Sequence, residues 1–281
     1  MNITVTNNNK QYTTDDFYYH ESDDVTVSEE GHVAHSHKHY EVMQVLKGDI
    51  TCIIDSKIYK LKSGDVCLIR PNDFHIIQVD GKIYERRVVE FYPSALQMSQ
   101  SAQDVLLHPF RTGRKKFNNF VPESVITNTP FNEIFDDISH QINYPNDETC
   151  AVRVALLLSN LLLSLHNIVD NSDADDYYKD NVCHTVINYI NKNITKRITL
   201  SDMEKALNLS KYYLSHQFSK QMGMTISEFI IEKKMLYAEQ LIESGIPPTE
   251  VANVVAYNYP NFYTNYKKIF GHSPKETFKK N

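Results

Sequence analysis

Two stretches near the C-terminus, 48 residues apart, carry one apolar frame. Met203, Leu207, Leu209, Leu214, Phe218 and Gly223 are matched at identical offsets by Val251, Val255, Tyr257, Phe262, Tyr266 and Gly271. A repeat at a fixed shift without gaps means that one structural unit is built twice. Each copy predicts a helix, a tight turn, a longer helix and a glycine stop, which is a helix-turn-helix. A tandem pair of such units points to double-stranded DNA as the partner.

Local signals sharpen each unit. Val182, Val186, Ile187 and Ile190 have helical spacing, so a lead helix runs to about Asn193. Thr199 or Ser201 caps the next helix, with Glu204 three beyond Ser201 as a capping box. Asn208 takes the turn, where a left-handed residue is needed, and Ser210 caps the longer helix. Leu214 and Phe218 point inward, four apart, so Lys211, Tyr212, Ser215, His216, Ser219 and Lys220 point outward. The N-terminal turn of a recognition helix enters the major groove. Tyr212, Ser215 and His216 are therefore assigned to base edges and Lys211 and Lys220 to phosphate, with Ser210 in the same DNA-facing set. The alternative for each is a solvated surface residue.

Thr225 starts a long helix from Ile226 to Glu243, which spans on the order of 27 Å. Pro260 or Asn261 opens the second recognition helix, with Phe262, Tyr266 and Phe270 inward and Asn261, Tyr263, Thr264 and Lys267 outward. Successive major grooves on one DNA face lie about 34 Å apart. The spacer serves both if the duplex bends.

Net charge is −6, but it is unevenly placed. Residues 180–281 hold 13 Lys and Arg against 9 Asp and Glu, and residues 1–179 hold 16 against 26. That asymmetry fits a basic reader joined to an acidic partner domain. The four cysteines, Cys52, Cys67, Cys150 and Cys183, form no CxxC pair and predict the reducing cytoplasm. No run of eighteen apolar residues predicts a membrane span, and the polar start Met1–Lys10 carries no export signal.

The N-terminal half reads differently. Gly31, Gly48, Gly64 and Gly81 recur about every sixteen or seventeen residues, and β-rich runs lie between and beyond them: Tyr40–Leu46, Ile50–Ile54, Ile58–Leu61, Val66–Ile69, His75–Val79 and Lys82–Phe91. Asp80-Gly81 is a hairpin signal. Regular short strands predict an all-β sandwich or barrel. The acidic segment Asp15–Glu30 is read as an arm covering it.

This stretch resembles the cupin barrel found as the sensor half of many bacterial regulators. The resemblance rests on His35-Ser-His37-Lys-His39-Tyr-Glu41, Gly48, and Lys62-Ser-Gly64-Asp65-Val-Cys-Leu-Ile-Arg-Pro71-Asn-Asp-Phe-His75. The metal-binding enzymes of that family place two His and a Glu on the first motif and a His on the second. Here Glu41 follows His39 after one residue, closer than in those enzymes, and the Pro71-to-His75 step is short by one. Two readings stay open. His37, His39, His75 and Glu41 form a metal set; or His35, His37, Glu41, Arg70, His75 and Tyr84 line a pocket for a small molecule with no metal or cofactor. The second reading is adopted.

Between the halves, Leu96–Leu107, Phe131–Ile142 and Thr149–Ile168 predict helices. The last carries Val152, Leu156, Leu157, Leu158, Leu161, Leu162, Leu163 and Leu165 on more than one face, so it must be buried. Either its own domain covers it or a second copy does, giving a two-fold dimer. Asn171 to Asp180 reads as an acidic linker.

Leu214 to Lys279 resembles the DNA-binding domain of the AraC/XylS family of transcription regulators. The residues carrying this are Tyr213-Leu214, Phe218-Ser-Lys220, Gly223-Met-Thr, Lys233-Lys-Met, Ala238-Glu-Gln-Leu241-Ile, Glu250-Val-Ala252, Phe262 and Tyr266-Lys-Lys-Ile-Phe-Gly271-His-Ser-Pro274. Ala256-Tyr257 stands where the family has Gly-Phe, and the turn after it reads as one residue short.

The expected fold is α+β. A cupin-like β-barrel (1–95) and a helical, dimerising segment (96–170) are followed by a linker (171–180) and an all-α domain with two helix-turn-helix units (181–281). The resemblance implies a sequence-specific activator that binds promoter DNA and RNA polymerase, takes a small-molecule effector such as a sugar, and is not an enzyme. The alternatives are a cupin-type metalloenzyme fused to a DNA-binding domain, and a weakly specific DNA-binding protein.

Overall fold

Ten short strands occupy the N-terminal half among the described residues: β1 (Asn2–Thr6), β2 (Asn9–Thr13), β3 (Phe17–Ser22), β4 (Tyr40–Lys47), β5 (Ile50–Ile54), β6 (Lys57–Leu61), β7 (Val66–Ile69), β8 (His75–Val79), β9 (Glu85–Phe91) and β10 (Phe120–Val121). The structure, a computed structural model, describes residues 2–6, 9–22, 34–55, 57–79, 83–111, 119–143, 149–171 and 182–279. The chain divides into two units, 1–179 and 180–281.

The strands form two open sheets and not a closed cupin barrel. One is ordered β1-β2-β3-β9-β4-β7-β10 and the other β6-β5-β8, with no strand shared. Closure needs each edge strand to find a partner. Among the described residues the large sheet ends on β10, two residues long, and β6 and β8 form ladders only with β5. Beyond these ladders, His35 makes an isolated bridge to His75 of β8. The expected barrel is thus replaced by a two-sheet sandwich. The first half of the expected acidic arm, Asp15–Ser22, is the β2–β3 turn and strand β3, within the large sheet. Its remainder, the turn at Asp80-Gly81, most of the loop 143–147 and most of the linker lie outside the described residues.

Alternation divides the large sheet. Phe17, Tyr19, Val42, Leu68, Val89 and Phe91 face the helices α1 (Gln100–Leu106), α2 (Glu123–Ile126), α3 (Phe131–Gln141) and α4 (Cys150–Asn171). Met43, Val45, Cys67, Ile69 and Val88 face the small sheet, with Ile50, Cys52 and Ile54 opposite. Across β3, β9 and β4 the register pairs Tyr18 with Glu90 and Glu41, His20 with Val88 and Met43, and Ser22 with Arg86 and Val45. The inner face is therefore polar along its β3–β9 side.

Helix α4 has the length and composition of a membrane span, yet half of it is buried within the protein. Leu158, Leu161, Leu162 and Leu165 are fully enclosed, each contributing on the order of 2 kcal/mol. The other face leaves Val152, Leu156 and Leu163 exposed by 53%, 60% and 43%.

The C-terminal unit holds α5 (Val182–Lys192), α6 (Leu200–Leu207), α7 (Lys211–Met222), α8 (Ile226–Glu243), α9 (Pro248–Val254), α10 (Tyr259–Phe270) and α11 (Pro274–Lys279). Thr199 caps α6, accepting from the Asp202 amide at 3.2 Å. The expected Ser201–Glu204 box does not form. Glu204 Oε1 instead accepts the Lys211 amide at 3.0 Å and ties α6 to the start of α7. Thr225 and Glu228 form a true capping box on α8.

The repeat extends to the backbone. Asn208 and Ala256 both adopt the left-handed conformation, at φ 52° and 58°, as do Gly223 and Gly271, at 68° and 74°. Ser210 and Asn258 both cap. The second recognition helix therefore begins at Tyr259, ahead of the expected Pro260 or Asn261, and its turn is no shorter than the first. Proline is tolerated in a first helical turn because its missing N–H is an orphan there anyway.

Ala256 meets the left-handed requirement at a cost of about 1–2 kcal/mol. Ala256→Gly is expected to stabilise the unit by roughly 0.5–1 kcal/mol, the relief of strain exceeding the added freedom of the unfolded chain. Thermal unfolding checks this; a lower melting temperature would contradict it.

Candidate DNA-reading helices and effector site

On α7 the apolar residues Leu214, Phe218 and Met222 are buried. That turns Lys211, Tyr212, His216 and Lys220 outward, with Ser215 and Ser219 half-buried between them. Tyr212 is 79% exposed, and its ring stacks on His216 one turn later at 6.2 Å and 16°. Ser210 Oγ accepts the Tyr213 amide at 3.2 Å, so its role in the structure is the cap. Tyr213 is also exposed and was not among the expected readers.

On α10, Asn261, Tyr263, Thr264 and Lys267 are exposed. Thr264 Oγ1 donates to the Pro260 carbonyl at 3.0 Å. Lys268 is exposed at the position equivalent to Lys220. The 48-residue shift, applied to the outward residues as well as the core, would have found it.

The N-terminal candidates separate into two groups. Glu41, on β4, is buried and faces His37 Nε2 at 2.9 Å and His75 Nε2 at 3.8 Å. Each imidazole is oriented through its other nitrogen: His37 Nδ1 lies 3.2 Å from the His39 carbonyl and His75 Nδ1 lies 3.1 Å from the Asp73 carbonyl. The His35 ring lies 4.2 Å from that of His75, and the two backbones bond at 3.0 and 2.9 Å. Tyr84 is buried on the inner face and donates to Met43 Sδ at 3.3 Å. Arg70 Nε pairs with Asp73 at 2.7 Å within its own turn. The ligand atoms of His37, Glu41 and His75 lie within 4.8 Å of one another, so these three could hold a metal ion. His39, counted in the expected metal set, pairs instead with Glu90 at 3.2 Å and stacks on Tyr92.

Burial opposes ionisation of Glu41, but the His37 hydrogen bond and the nearby imidazoles prevail and hold its pKa down to about 2. Burial also lowers the His37 pKa, and the Glu41 bond and charge outweigh it, for a net rise. Burial pushes His75 down to about 4.

These shifts set an acid response. With a folded pKa below its unfolded value, His75 takes up its proton preferentially in the unfolded chain between about pH 6.5 and 4, so stability falls as pH falls through that window. Glu41 adds a second loss between about 4.5 and 2. His75→Gln is expected to flatten the upper loss, on the order of 3 kcal/mol, in urea unfolding at stepped pH. An unchanged slope would show that His75 is not the group responsible.

On the same sheet face a cavity of about 330 Å³ opens beside Tyr18, His39, Glu90 and Tyr92. A second, of about 390 Å³, lies between α4 and the segment before α3, at Val125, Pro130, Asn160, Leu163 and Ser164.

Residues 24–165 match the AraC-like ligand binding domain, and residues 203–280 match a helix-turn-helix domain. The chain is 22% identical over 220 residues to the uncharacterized HTH-type transcriptional regulator YbfI of Bacillus subtilis, across 78% of this chain and 76% of that one. It is 23% identical over 258 residues to the uncharacterized HTH-type transcriptional regulator YdiP of Escherichia coli, across 88% and 80%. Among solved structures, ToxT of Vibrio cholerae is 13% identical across 94% of this chain and 95% of its own, with a TM-score of 0.36.

Proposed function

This chain belongs to the AraC type of helix-turn-helix transcription regulators, and we propose that it activates transcription from a two-part DNA site under the control of a small molecule held between its N-terminal sheets. It is a DNA-binding regulator and not an enzyme, as its relatives are.

The observation that carries the two-part reading is one backbone presenting two different faces. Tyr212, Ser215 and His216 on α7 stand where α10 has Pro260, Tyr263 and Thr264. One scaffold with two outward surfaces reads two unlike half-sites, with Tyr212, Ser215 and His216 at bases on one side and Asn261, Tyr263 and Thr264 on the other. Lys211, Lys220 and Lys267 take phosphates. Mobility shifts against random competitor DNA test this. A preferred site should bind about 10³-fold or more tighter than random DNA; equal competition would mean a non-specific binder.

Effector control is assigned to the inner sheet face, where His35, His37, Glu41, His75 and Tyr84 stand. Such a ligand shifts activity only by binding two states unequally. The direction of control, activation, rests on likeness to the lactose operon transcription activator of Staphylococcus xylosus, 29% identical over 103 residues, across 36% of this chain and 37% of that one; RNA polymerase is the partner that activation would engage.

Self-association is assigned to α4. Val152, Leu156 and Leu163 form an apolar stripe on one face of a helix whose other face is core, and a two-fold axis would cover both copies of it. Leu156→Glu is expected to convert a dimer to a monomer in sedimentation, with the fold intact because Leu156 is 60% exposed. A variant that sediments like the wild type would remove this surface from the account.

A further inference from the structure

Arg86 and Arg87 are neighbours on β9 with opposite surroundings. Arg87 lies under the helices and is saturated. Its Nε donates to Gln44 at 2.8 Å, Nη1 pairs with Asp136 at 2.5 Å, Nη2 reaches Asn132, and the guanidinium lies 4.3 Å from the Phe135 ring centroid. Arg86 points to the inner face. Its Nε is buried without a hydrogen-bond partner, and its Nη1 has the Met43 thioether at 4.0 Å. Tyr84, its other neighbour, has its hydroxyl turned on the same sulfur at 3.3 Å. Ser22 stands directly opposite Arg86 across the β3–β9 pair, and its buried hydroxyl also lacks a partner.

Donors buried without acceptors carry their full desolvation penalty. A thioether is a weak acceptor and no counter-ion. Of the carboxylates on this face, Glu41 is hydrogen-bonded by His37 and Glu90 lies 3.2 Å from His39 Nδ1, and the charge of Glu41 helps hold the Arg86 pKa up from a distance. Among the described residues no carboxylate forms an ion pair with Arg86. The face therefore holds one cation with a buried donor that no described residue accepts.

We infer that Arg86, with Ser22 and Tyr84, is the subsite for the carboxylate of a small organic acid, which is the effector. The planar guanidinium fork matches a carboxylate in shape and charge. One cation balances one negative charge; a phosphate dianion beside Glu41 and Glu90 would be left in excess. This inference rests on the reading that the effector sits on the inner face, and it makes the ligand an acid where the sequence resemblance implies a sugar.

The test is thermal stabilisation of the full chain by three sets of probes. These are acetate, pyruvate, lactate, succinate and benzoate; the amides of the same acids; and glucose, galactose and arabinose. At least one acid should raise the melting temperature while its amide does not. Arg86→Gln should weaken that acid at least tenfold, and Ser22→Ala severalfold. Arg86→Gln without ligand should melt no lower than the wild type, because it removes a buried donor that has no acceptor, whereas Arg87→Gln should melt lower. Stabilisation by a sugar or an amide but by no acid would overturn the acid and leave the effector reading standing. So would acid binding unchanged in Arg86→Gln. A ligand-free Arg86→Gln that melts as low as Arg87→Gln would make the residue structural and end the proposal. If no probe of any set stabilises the protein, the effector reading falls with it.

Discussion

Lys234→Met is expected to cost the C-terminal unit about 3 kcal/mol, since two carbonyls lose their donor at roughly 1–3 kcal/mol each and the apolar replacement returns part of it. Lys234, on α8, is 2% exposed and donates to the Lys196 carbonyl at 2.6 Å and the Val255 carbonyl at 2.7 Å. The first lies in the segment entering the first helix-turn-helix, the second at the end of α9 in the other. Its ammonium also lies 5.5 Å from the Tyr257 ring centroid. One side chain thus holds the two units in register along the spacer. Burial lowers its pKa to about 8. The unfolded chain then binds the extra proton between about pH 8 and 10.5, so stability rises with pH across that window. Urea unfolding of the full chain, read by circular dichroism, should show a lower midpoint and no such rise in the variant. A loss under about 0.5 kcal/mol, typical of neutral surface changes, would show that the two units do not depend on this link.

The double variant Tyr212→Ala/His216→Ala is expected to weaken binding to the preferred site on the order of 100-fold. Each lost base contact is worth roughly 1–3 kcal/mol. Binding to random DNA should change less than threefold, because neither residue is assigned to phosphate. Both side chains are exposed, so the helix survives their removal. Lys220→Ala is the control. It should weaken both kinds of binding and lower the salt slope by about one. Titration by fluorescence anisotropy at several salt concentrations separates these outcomes. Unchanged discrimination in the double variant would mean that α7 meets DNA with another face.

The C-terminal unit was legible because its determinants are local. The 3.6-residue period, the caps at Ser210 and Thr225 and the left-handed Asn208 are each set by a few neighbouring residues. The start of α10 lies ahead of the expected Pro260 or Asn261 because Asn258 caps the helix and the proline fits within its first turn. The strands from Tyr40 to Phe91 were also legible, within a few residues at their ends. Their pairing was not, since β9 inserts between β3 and β4, a long-range choice that alternation leaves open. β1 and β2, at one end of the sheet, were not expected, because Ile3 and Val5 alternate over too short a run and β2 has the single apolar residue Tyr12. Among the site residues, His37, Glu41 and His75 of the motif lie together, with ligand atoms within 4.8 Å of one another. Arg86 was not among the expected lining residues, because a strand position does not reveal what a side chain meets across the sheet. Arg70 pairs with Asp73 three residues on, whereas the Nε of Arg86 is buried with no hydrogen-bond partner.

Hydroxyl-radical footprinting of the full chain on its preferred site tests the central claim most directly. Wild-type protein should protect two patches on one face of the duplex, about one helical turn or 10 base pairs apart. Tyr212→Ala/His216→Ala should lose one patch, and Asn261→Ala/Thr264→Ala the other. A single patch that both variants weaken alike, or protection spread evenly along the duplex, would contradict the account of one scaffold reading two half-sites.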